Sequence, residues 1–162
     1  MVFSPLSYGA AAAHFLTGER GADDLVPIDP YELFPLARFP HEAVAGLWLL
    51  LDDLDRSHSV SQGLSTQEAA VWHGIMHRRE PDPANAAYWF RRAGRHPIFP
   101  SLHRAAAAAG YPVPGTEWDP FAWIEYWERA RRLPGSEENR VALAVQRVEW
   151  EILFDHCARS GK

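Results

Sequence analysis

The chain has 162 residues, a mass of 18.3 kDa, 47% hydrophobic residues and a formal net charge of −5. That length and apolar content suit a single packed domain over residues 1–162 and exclude an extended disordered chain. The acidic balance argues against general nucleic-acid binding, which needs a basic surface, and the longest apolar run, residues 43–51, is too short to span a bilayer.

Taken in chain order, the expected elements are all helical. The segment between Gly9 and Gly18 reads as helix or loop, and Asp29-Pro30-Tyr31-Glu32 caps a short helix. Val44, Leu47, Trp48, Leu51 and Leu54 recur at helical spacing, so residues 40–56 are expected to form one amphipathic helix. Asp52, Asp53 and Asp55 would then fall in its last turn, where acids oppose the helix dipole. Ser65 with Glu68 three residues on reads as a capping box for a helix to about Arg79. Asp82 with Pro83 starts the next helix, which should end near His96 because Pro97 disfavours helix before it. Residues 98–109 form a further helix closed by Gly110. Asp119-Pro120 repeats the cap signature ahead of residues 121–132. Ser136 opens the last helix, with Val141, Val145, Val148 and Ile152 on one face.

Strand signals are nearly absent. The expected fold is therefore all-α: one domain of about six or seven helices in antiparallel hairpins, with a short α-α superhelical array as one way of stacking them. Cys157 is the only cysteine, which rules out an internal disulfide and suits the core of the last helix. No basic region precedes an apolar run near residue 1, so no secretory signal is read and a cytoplasmic location is expected.

The densest chemistry lies in residues 72–97. This stretch holds three histidines, five arginines, two acids and the adjacent pair Tyr88 and Trp89. His73 and His77 stand at i and i+4 and face the same way, and Glu80 follows by one turn. Imidazole pairs of this spacing suit zinc, nickel or iron, so His73, His77 and Glu80 form a candidate metal set. The simpler alternative is a pair of part-buried histidines hydrogen-bonded within the protein. No glutamate follows His73 directly, so the zincin general base is missing. Asn85, Trp89, Arg92 and His96 make a second, mixed aromatic and polar stripe. Arg78-Arg79, Arg91-Arg92 and Arg95 supply anion-binding groups, or ion pairs to the acids near Asp53, with Asp53 and Arg92 as the specific pair expected.

Gly74, Ala86, Phe90, Ala93 and Pro97 fall close to the spacing of a helical-repeat hairpin, and residues 86–94 look like a second repeat helix. The stretch resembles one unit of a Sel1-like or tetratricopeptide repeat. It is also similar to a group of helical proteins of uncharacterised activity that carry an HRRE-type signature, here His77-Arg78-Arg79-Glu80. No second copy follows at a fixed period, although solenoids need about three units. The resemblance implies a helical hairpin and places Ala70, His73, Gly74 and His77 in its packing seam.

The sequence has no phosphate-binding glycine loop, no GxSxG elbow and no CxxC pair. Two functions stay open, and whether the protein is an enzyme is undecided. One is a non-catalytic binding or interaction module for a protein segment or small anionic ligand, with a site beside the hairpin shared by His73, His77, Tyr88, Trp89, Arg92 and His96. That site would be either an inner histidine pocket or an outer Trp-Arg face. The other is a metal-dependent, hydrolase-like enzyme using His73, His77 and Glu80.

Overall fold

The computed structural model describes residues 3–161, which form a 3-10 turn at Pro5–Tyr8 and ten α-helices. The helices are α1 (Ala10–Leu16), α2 (Ala22–Leu25), α3 (Pro30–Leu33), α4 (Pro40–Leu50), α5 (Leu54–Gln62), α6 (Gln67–Arg79), α7 (Pro83–Ala93), α8 (Phe99–Ala108), α9 (Pro120–Ala130) and α10 (Glu137–Ala158). No strand occurs among the described residues; an isolated bridge joins Ala37 to Ser160. None of these helices is long and apolar enough to cross a membrane.

The expected caps at Asp29, Asp82, Asp119 and Ser136 are present, each side chain accepting a backbone N–H in the first turn of its helix. Gly110 closes α8 with φ of +96°, a conformation glycine adopts without strain. The segment after Gly9 is helical from Ala10.

Three expected elements differ. The helix expected over residues 40–56 stops at Leu50 because Asp52 takes a left-handed φ of +61°, which a short polar side chain tolerates. Asp53 then caps a new helix, α5, by accepting the Arg56 N–H at 3.0 Å. The acids thus sit at a helix start, where the dipole favours them. Arg79 covers the end of α4 instead, donating to the Leu49 carbonyl at 2.6 Å and to Asp52 at 2.8 Å. Thr66, not Ser65, caps α6, and Glu68 turns inward rather than closing a capping box. Helix α7 ends at Ala93, with Gly94 at φ of +61°, so His96 lies beyond it in a turn.

The helix count exceeds the expectation because of α5 and the short N-terminal helices. Antiparallel hairpins are present, above all α6–α7. Helix α10 packs against α4, α8 and α9. A solenoid unit touches only its sequence neighbours, so this is a bundle closed by α10 and not an open array.

Two glycines set helix spacing. A Cβ on Gly46 would lie 2.7 Å from the Trp72 ring, and one on Gly74 would lie 2.8 Å from Phe90. Arg78 is wholly buried and forms a two-pronged pair with Glu149 of α10, itself 1% exposed. Its guanidinium also lies over Trp123 and Trp127 at 5.4 and 5.5 Å, so one side chain joins α6, α9 and α10. The arginines of α6 are therefore structural, not a solvated face.

Candidate metal centre

Helix α5, absent from the sequence reading, brings a third histidine to the expected pair. His58 meets His73 edge-on at 4.6 Å between ring centroids and His77 at 5.3 Å. His73 and His77 stack one turn apart at 4.9 Å. One ring nitrogen from each of the three falls within 4.8 Å of the others. His73 and His77 are buried and His58 is partly exposed, so the cluster opens toward solvent through α5.

His73 is 1% exposed, yet neither of its ring nitrogens has a hydrogen-bond partner. Buried polar atoms are nearly always paired. The ring is covered by Trp89 of α7, stacked at 3.7 Å and 14°. Burial and the neighbouring rings of His58 and His77 push its pKa down to about 3. The ring is therefore neutral at physiological pH, the state a metal requires.

His77 is oriented differently. Its Nδ1 lies 2.8 Å from Glu80, whose carboxylate follows the end of α6. A carboxylate only accepts, so the proton is on Nδ1 and the Nε2 lone pair is free. Such carboxylate-histidine pairs orient imidazoles toward metals. Glu80 therefore acts through His77, and the third ring of the candidate set is His58. Glu80 also groups with His77 and Asp82, but Asp82 is engaged as the α7 cap by Asn85 at 3.1 and 2.7 Å.

The other expected site residues divide. Trp89 joins the histidine cluster directly, so the inner pocket and the outer aromatic face are one structure. Arg92 lies over the Trp89 and Tyr88 rings at 5.3 and 5.9 Å, on the outer side of that stack. It does not pair with Asp53, which binds Arg56 at 2.8 Å. His96 does not join this cluster: beyond the end of α7 it belongs with Glu68 and His156.

That second group has a different chemistry. Glu68 receives His156 Nε2 at 2.9 Å and faces His96 Nε2 at 3.5 Å. His96 Nδ1 accepts the Ile98 N–H at 3.3 Å, which places the ring proton on Nε2, toward Glu68. Its lone pair is used, unlike that of His77. Burial alone would raise the Glu68 carboxyl, but the hydrogen bonds from His156 and His96 bring it well below the usual carboxylate range. In this His-Glu-His array His96 Nε2 has no hydrogen-bond partner but its Nδ1 is engaged, whereas both nitrogens of His73 are unpartnered.

His58 and His156 were missed as site residues because each stands alone in sequence. The cap signature Asp53 to Arg56 with Gly63 after Gln62 is the signal that α5 exists. No protein-family model matches this chain, and neither the curated proteins nor the solved structures compared with it match at a significant level.

Proposed function

We propose that this protein is a metal-binding helical module in which His58, His73 and His77 hold a divalent transition ion of the zinc, nickel or iron class. The observation that carries this reading is the buried, neutral His73 ring with both nitrogens unpartnered. Three imidazoles match the protein donor set of an open zinc site, and the carboxylate of Glu80 supplies the outer support such sites use. Tetrahedral ligand atoms with bonds of about 2.0–2.1 Å stand roughly 3.3 Å apart, so binding would draw the rings inward by about an ångström.

Binding without catalysis is the preferred form. Two surface grooves, of about 710 and 1080 Å³, are lined by residues other than His58, His73 and His77. A hydrolase-like reading rests on the partial exposure of His58, which leaves a route for water to a fourth coordination position.

Zinc titration of the purified protein tests the proposal. One equivalent should bind, and His77→Ala or His58→Ala should abolish binding while the helical circular dichroism persists. Failure of the folded wild-type protein to bind zinc, nickel or iron would refute it. Zinc-dependent hydrolysis of an activated ester, lost in the same variants, would favour the enzyme over the module.

A further inference from the structure

We propose that the groove between α8 and the C-terminal half of α10 binds a small oxyanion-bearing molecule, a carboxylate or a phosphate monoester, held by Arg38, Arg104 and His156. The groove measures about 710 Å³, within the range of small-ligand sites. It is separate from the histidine cluster and does not depend on a metal.

The charges in the groove are unevenly satisfied. Asp155 accepts the Tyr8 hydroxyl at 2.8 Å and the Arg159 Nε at 2.5 Å. Glu151 accepts Arg147 at 3.0 Å. Both acids are thus engaged. Arg38 lies over the Phe39 ring and Arg104 donates to the Ser101 hydroxyl at 3.2 Å. Neither has a carboxylate partner among the described residues. In a chain of net charge −5, two arginines without acids in one groove make a local surplus of cations. Guanidinium groups present a planar fork that matches carboxylate and phosphate oxygens.

His156 adds a third polar group. Its Nε2 is bound to the buried Glu68 at 2.9 Å. Its other nitrogen, Nδ1, has no hydrogen-bond partner among the described residues, and the side chain lines the groove. Phe39 stacks on the ring at 5.7 Å and His96 meets it edge-on at 5.2 Å. A carboxylate behind one imidazole nitrogen fixes the orientation of the ring. Nδ1 is therefore the ring atom available to hydrogen-bond a bound acid, giving a third polar contact beside the two arginines.

Titration of the protein with inorganic phosphate and, separately, with succinate tests this, read by calorimetry and by the ring resonances of His156. Saturable binding of at least one probe is expected, with phosphate preference indicating a phosphate ester and succinate preference a carboxylate. Arg104→Glu and Arg38→Glu should each weaken binding roughly tenfold or more, as loss of a charge-assisted contact implies. His156→Gln should weaken it with both arginines in place. Both arginines are exposed, so the variants should retain the wild-type melting temperature. Absence of saturable binding of either probe at concentrations on the order of ten millimolar, or equal affinity in the Arg38→Glu/Arg104→Glu double variant, would overturn the proposal.

Discussion

At His73 the ring is enclosed by Trp89 on one face and by His58 and His77 around its edge. Its depressed pKa links protonation to unfolding in the metal-free protein. Unfolded histidine takes up a proton near pH 6.5, whereas the folded ring stays neutral until about pH 3. The stabilisation is thus complete above pH 6.5 and is lost as the pH falls toward 3, at about 1.4 kcal/mol per pH unit for one proton. Urea unfolding of wild type and His73→Leu between pH 7 and 4 measures this. The wild-type advantage over the variant should shrink as the pH falls; a constant difference would show that His73 is not desolvated. His73 and His77 were legible as a pair because i and i+4 spacing places side chains on one face whatever the tertiary context. The third ring was not, because its proximity depends on how α5 folds back over α6.

Among elements, the α6–α7 hairpin shows most clearly what local sequence specifies. Ala86, Phe90 and Ala93 are buried and Phe90 lies against Gly74, residues whose spacing already indicated two packed helices. Gly74→Ala should destabilise by about 1–3 kcal/mol, because a Cβ 2.8 Å from Phe90 must displace the ring. Better helix propensity offsets at most about 1 kcal/mol of that. Thermal melts of the variant check it, and unchanged or raised stability would contradict the close-approach argument. Helix starts were readable wherever Asp or Ser preceded the first turn, since a cap is a local hydrogen bond. The break between α4 and α5 was not. Leu51 and Leu54 keep the helical period across it, and periodicity cannot reveal the left-handed turn at Asp52. The end of α7 was misplaced for a similar reason: Pro97 sets a limit, but Gly94 stops the helix earlier.

At the scale of the whole molecule, α6 is the central element. One face carries His73 and His77 toward α5 and α7. Arg78 reaches Glu149 on α10 and two tryptophans on α9, and Glu68 reaches His156 near the end of α10. These long-range partners lie 71 and 88 residues away in sequence; the expected pairing of a hairpin arginine with the acids after α4 does occur, but between Arg79 and Asp52 rather than Arg92 and Asp53. The all-α class followed from caps and periodicity, whereas the closing role of α10 depends on contacts that no local pattern encodes. The proposed metal site draws its three histidines from α5 and α6. Cobalt(II) substitution tests it most directly, because the visible d–d bands of bound cobalt report coordination number and donor type. One equivalent should give bands of a four-coordinate, nitrogen-rich site in the wild type. The bands should be lost in His58→Ala, His73→Ala and His77→Ala alike, and kept in His96→Ala and His156→Ala. A spectrum unchanged from aqueous cobalt, or bands that survive loss of His58 but vanish without His96, would contradict it.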